Sequence, residues 1–221
     1  MKKYPFMIFF IVLVMGIPAW TASPLSRDWD ELRSNSVLQA ELRGWVNYGL
    51  AKAFGITPSS LSAPKVSDFF RQSFPIFVTL QKNGEVRGCM GSLVPQRSNL
   101  AEEIPQKIEL ALFQDPRHRP VTKNELVGMV VFISTVITKA PVRSVQEISP
   151  AYDGVWLSAG SKGAVLMPGE AKTQRYLLAL LKAKAGLKKG EAFHLYRLKT
   201  QSVKVIPDFP ESNPSKSVDS N

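Results

Sequence analysis

Apolar residues first recur at helical spacing and then at strand spacing, and the switch between the two periods divides the chain into elements. Leu38, Leu42, Trp45, Val46, Gly49, Leu50 and Ala53 fall on one helical face. Ser36 with Gln39 reads as a capping box at the start of this helix, and Gly55 as its stop. Residues 56–68 carry Pro58, Pro64 and serines between them, which predicts a linker or flap. From Phe77 the period becomes two and runs into Asn83-Gly84, a strong short-range hairpin signal. Counting outward from that turn pairs Lys82 with Glu85, Leu80 with Arg87 and Val78 with Cys89. Arg87 and Cys89 are then expected on one face of the second strand.

The rest of the pattern is as regular. Asn99 and Glu102 open a second helix with Ile104, Ile108, Ala111 and Leu112 on its inner face, ending before Asp115-Pro116. Pro105 is expected to kink it or delay its start. Met129 to Ile137 reads as a buried strand, and Val155–Ser158 with Ala164–Met167 as a hairpin turning at Gly160–Gly163. A third helix is expected from about Glu170 to Ala185, stopping at Gly186, followed by a last strand from Leu195 to Ile206. From Pro207 onward the proline, serine and aspartate content predicts a disordered tail. There is no internal repeat and no glycine-rich phosphate loop.

The first residues follow another pattern. Lys2 and Lys3 precede an almost wholly apolar run from Phe6 to Ile17, and no further charge appears before Arg27. Residues 1–23 are thus expected to be an export signal, or else a retained anchor, because Tyr4 to Ser26 is long enough to span a bilayer. The expected location is exported, periplasmic or extracellular, with membrane attachment if the segment stays. No cysteine ends it, which excludes a lipoprotein anchor. The formal net charge of +10 has many of its lysines in the last third, yet no aromatic-interleaved motif marks nucleic acid as a partner. The single cysteine excludes an internal disulfide.

Candidate chemistry concentrates in two places. In Val86-Arg87-Gly88-Cys89-Met90-Gly91 the lone thiol follows an arginine, whose charge would favour a thiolate nucleophile or ligand. Gly88 and Gly91 are candidate substrate-binding positions, because glycine inside a strand marks a bulge or the close approach of another backbone or a ligand. A strand cysteine is otherwise most often a small buried hydrophobe. In Asp115-Pro116-Arg117-His118 a rigid charged turn competes with a site in which Arg117 clamps an anion, Asp115 positions it and His118 exchanges protons. His194 is a weaker candidate on the last strand. Two distant histidines and one cysteine make no recognisable metal site, so no metal is expected.

These residues also carry a resemblance. Ile76–Leu80 leading to Asn83-Gly84, then Val86–Leu93, is similar to the Phe-Val-Thr-Leu … Leu-Arg-Gly-Cys-Ile-Gly signature of the AMMECR-one domain family. Asp115-Pro116-Arg117, Glu125-Leu126, Phe132-Ile133-Ser134, Leu166-Met167-Pro168 and Lys184-Ala185-Gly186-Leu187 resemble its later motifs in order. His118 stands where the family has phenylalanine, Gly169-Glu170-Ala171 replaces its Gln-Val-Ala, and the tryptophan after Lys-Ala-Gly-Leu is missing. The resemblance implies an α+β domain over 36–206, two-lobed, with a mainly antiparallel sheet flanked by helices and the Arg-Gly-Cys strand lining the cleft. It settles neither reaction nor cofactor. The leading expectation is an enzyme in which Cys89 and Arg87 act on an unknown small or macromolecular substrate, an anionic one among the candidates. The rival is a non-catalytic module whose basic surface engages a partner or envelope component.

Overall fold

The computed structural model describes residues 24–56 and 63–208. The expected signal or anchor, residues 57–62 of the expected linker and the tail beyond Asp208 lie outside the described residues. Four helices, α1 (Pro24–Ser34), α2 (Ser36–Ala53), α3 (Leu100–Phe113) and α4 (Gln174–Lys184), accompany six strands. These are β1 (Phe77–Lys82), β2 (Glu85–Gly91), β3 (Met129–Val142), β4 (Gly154–Ala159), β5 (Lys162–Leu166) and β6 (His194–Val205). All six join one antiparallel sheet in the order β2-β1-β3-β6-β4-β5, so the fold is α+β. Among the described residues no helix is long and apolar enough to cross a membrane.

Two apolar cores hang on the long β3–β6 pair. In the larger, Val78, Leu80, Val131, Ile133, Val203 and Val205 meet the buried faces of α1, α2 and α3. In the smaller, Val155, Leu157, Leu166 and Leu195 pack on Leu177 and Leu181 of α4. The two-lobed expectation corresponds to this division. A third, small cluster of Phe77, Cys89 and Met167 lies where β2 meets the end of β5.

Helix α1 was not expected. Leu25, Trp29 and Leu32 do fall at helical spacing, and Trp29 and Leu32 are fully buried, but they follow the apolar run of the first residues and merge with it by pattern. Trp29 meets Phe74 edge-on, and Asp30 accepts a hydrogen bond from Gln201 of β6, so α1 belongs to the domain. The helix α2 begins at Ser36 as expected, but its cap is Asn35, whose Oδ1 accepts from Val37 N and Leu38 N. Helix α3 starts at Leu100 despite Pro105. Gly49 of α2 faces that proline: a Cβ there would lie 3.0 Å from Pro105 Cα, so a larger residue would push the two helices apart. Helix α4 begins later than expected, capped by Thr173, because Glu170 is engaged elsewhere.

Candidate functional site

The β1–β2 hairpin turns at Asn83-Gly84 as expected, with both residues at positive φ. The pairing then departs from the simple count. Lys82 faces Glu85 and Gln81 faces Val86, but a bulge follows, so Leu80 faces Gly88, Thr79 faces Cys89 and Val78 faces Met90. Arg87 is the extra residue. One added residue moves every later position by one partner.

The bulge sends Arg87 and Cys89 to different partners. Arg87 Nε donates to Glu125 Oε1 at 2.8 Å, and this hydrogen bond, with Thr122 N–H, holds the Glu125 carboxyl down at about 2. Arg87 Nη2 is buried with no hydrogen-bond partner. Cys89 is fully buried, with Thr79 Oγ1 donating to its sulfur at 3.2 Å. Burial pushes the thiol well above its ordinary range. Glu170 adds to that, and Lys184, Thr79 and Arg117 offset only part of it. At neutral pH Cys89 is therefore a protonated, enclosed thiol, and the charge expected to activate it rests on Glu125.

The two glycines serve the chain's own packing. A Cβ on Gly88 would lie 2.0 Å from the Ala111 carbonyl oxygen, so glycine here lets the end of α3 rest on the strand. A Cβ on Gly91 would meet the Phe77 ring at 2.4 Å and the Ile76 oxygen at 2.5 Å. Close approach of protein accounts for both glycines, and the bulge lies directly before Gly88.

The Asp115 turn is the better-built constellation. Buried Asp115 accepts from Cys89 N at 2.8 Å, from Arg117 N and Nε at 3.0 Å each, and from Arg117 Nη2 at 2.7 Å. Burial would raise its carboxyl, but these bonds outweigh it and hold the group at about 2. Arg117 Nη1 reaches across to Glu170, whose other oxygen accepts from Met167 N at 2.6 Å. Desolvation works against the Arg117 charge, and the two carboxylates more than restore it. This buried triad ties β2, the α3–β3 loop and the β5–α4 loop together. Arg117 donates three of its five guanidinium hydrogens to it.

Arg117 also lines a cleft of about 660 Å³, framed by the hairpin tip (Glu85, Val86), His118, the residues just before α4 (Lys172, Thr173) and Tyr176 in its first turn. His118 is half-buried. Its imidazole is held below its ordinary range first by desolvation and then by Arg117 and Arg87, against the pull of Asp115. His194 stands at the exposed start of β6, opposite Ser158 and away from this cleft. No group of three or more His, Cys, Asp or Glu suited to a metal occurs among the described residues. Part of the basic last third is internally satisfied: Lys162 pairs with Glu191 and Lys199 with Asp153. Sequence reasoning missed Glu125, Glu170 and Thr79 as partners. Glu125 and Glu170 both stood in the quoted motifs, but nothing local shows which distant side chain each one meets.

With this geometry in hand, comparison with known proteins is decisive about family. The AMMECR1 family model matches residues 50–205, and the chain belongs to that family. A protein of Thermotoga maritima is 34% identical over 149 residues, covering 66% of this chain and 82% of the relative. One from Methanothermobacter thermautotrophicus is 31% identical over 153 residues, covering 68% and 71%. Protein CA_C1420 of Clostridium acetobutylicum is 37% identical over 93 residues, which is 42% of this chain but only 20% of that longer protein. The crystal structure of uncharacterized protein PH0010 from Pyrococcus horikoshii superposes with a TM-score of 0.54 at 20% identity, over 75% of this chain and 92% of that one. That likeness concerns the fold. No activity is assigned to these relatives.

Proposed function

We propose that the chain is an exported small-molecule-binding domain whose site is the cleft at Arg117, His118 and Lys172, and that it does not work through a cysteine nucleophile. The observation that carries this reading is Arg117: locked by Asp115 and Glu170, it keeps two guanidinium hydrogens for an acceptor in the cleft. A ligand carboxylate or phosphate suits that edge. The two flanking carboxylates neutralise much of the local charge, so oriented hydrogen bonding does more than bulk attraction, and exposed Lys172 supplies the nearby positive charge. Neutral His118 adds one donor or acceptor. The enclosed thiol supports placing Cys89 outside the chemistry. Export rests on the basic and apolar start of the chain, Lys2 to Ile17.

The test is calorimetric titration of the protein with a panel of small carboxylates and phosphate monoesters, each beside its neutral analogue. Acidic members should bind, Lys172→Glu with His118→Ala should weaken them by roughly tenfold or more, and Cys89→Ala should bind as the wild type does. Binding that disappears with Cys89→Ala in a folded protein, or that ignores the Lys172 and His118 changes, would overturn the reading.

A further inference from the structure

A second pocket lies at the other end of the same strand and helix. Whereas the cleft above takes the first residues of β2 and the start of α4, this pocket of about 410 Å³ takes Met90 and Gly91 from the end of β2 and Lys184 from the last turn of α4. The hairpin β4–β5 forms its far wall. Such a volume suits a small organic ligand.

Its lining is unusual in charge. Lys184 and Lys162 line it and no aspartate or glutamate does. Lys162 is already matched by Glu191 at 2.9 Å. Lys184 is not: its half-buried ammonium is seated on backbone oxygens, Val165 O at 2.9 Å and Cys89 O at 3.5 Å, and has no carboxylate within 4 Å among the described residues. Carbonyl dipoles anchor a cation without cancelling its charge, and a half-desolvated ammonium gains most from an anion at hydrogen-bond distance.

The walls are apolar and aromatic. Phe77, Met90, Leu93, Val165 and Trp156 line the pocket, and Trp156 is held by stacking on Tyr196 with centroids 4.7 Å apart. The Trp156 Nε1 donor has no protein acceptor among the described residues, and it is not sealed from solvent. Its edge lies over Gly163, where a Cβ would come within 3.2 Å of it. A rigid indole with a free N–H, an unmatched ammonium and an apolar floor together describe a partner with a flat apolar body and one acidic group.

The geometry points to a second ligand site, in which Lys184 and the Trp156 indole N–H hold the acid group of a planar, aromatic monoanion whose ring lies against Trp156 and Met90. It shares no lining residue with the Arg117 cleft, so either site can exist without the other.

The test follows the Trp156 indole N–H resonance in a nitrogen-15 proton correlation spectrum while 2-naphthoate is added, with 2-naphthylmethanol and inorganic phosphate as controls. Naphthoate should shift that resonance saturably, the neutral alcohol at least tenfold more weakly, and phosphate without ring-dependent shifts. Lys184→Gln keeps a donor for the two carbonyls and removes the charge, so it should fold with unchanged melting and lose at least tenfold in naphthoate affinity. Lys172→Glu should leave naphthoate binding as it was. No Trp156 shift at millimolar naphthoate, equal binding of acid and alcohol, or full affinity in Lys184→Gln would each overturn the site.

Discussion

At the scale of single residues, the motif Val86–Gly91 divides its labour differently from its appearance. Cys89 is a packed core atom, so a thiol reagent should leave native protein unmodified at pH 8 and label one thiol per chain in guanidinium, read by absorbance. Gly88 is required for space: Gly88→Ala would drive a methyl into the Ala111 carbonyl, and since that contact is backbone, little can yield. We expect it to cost about 3 kcal/mol or more, near the upper end of single substitutions, measured by urea denaturation. The buried pair Glu103–Lys107, 3.1 Å apart, makes a similar case, because Glu103 also accepts from Gln96 N and Arg97 N and Lys107 donates to Gln96 Oε1. Lys107→Met leaves a buried carboxylate without its cation and should destabilise by about 3–5 kcal/mol.

At the scale of elements, the Asp115–Arg117–Glu170 triad is the clasp between the two cores, and it has a pH signature. The Asp115 carboxyl is held at about 2, below its ordinary value of 3.8, so the folded state binds a proton less readily than the unfolded chain does. The stability it contributes is therefore complete above the unfolded value and is lost as pH falls from there towards 2. A shift of that size corresponds to about 2 kcal/mol between pH 6 and pH 2. Urea denaturation across that range should show the loss in the wild type and a smaller loss in Asp115→Asn, which should also be the less stable protein at pH 6. The elements themselves were legible because apolar period is a local property: the Asn83-Gly84 hairpin, α3 and the β4–β5 hairpin all follow from it. Register was not, since Gly88 and Gly91 mark a bulge or a close approach without telling which residue is the extra one. The site's partners were not either, since Arg87 with Glu125 and Arg117 with Glu170 meet only after distant elements have packed.

At the scale of the whole molecule, the domain begins earlier than its family signature. A boundary at residue 36 follows from the first clear amphipathic helix, but Trp29 and Leu32 are fully buried before it. A chain beginning at Ser36 loses both, at about 1.5–3 kcal/mol for each large side chain, and should melt well below one beginning at Pro24 in calorimetry. The apolar run Phe6–Ile17 hid α1, because two adjoining apolar segments give one continuous signal in the sequence.

The bulge at Arg87 has one more consequence. On either side of it the ladder is in step, with Gln81 facing Val86 and Leu80 facing Gly88, so the hairpin would close as a regular ladder were Arg87 absent. Arg87 is thus a removable residue within an otherwise fixed strand. A deletion of that one position should leave Cys89 opposite Thr79 and Gly88 against Ala111, while taking away the guanidinium that reaches Glu125. Few sites allow a whole residue to be subtracted and the fold's register kept, and here that position is the arginine of the family's own signature.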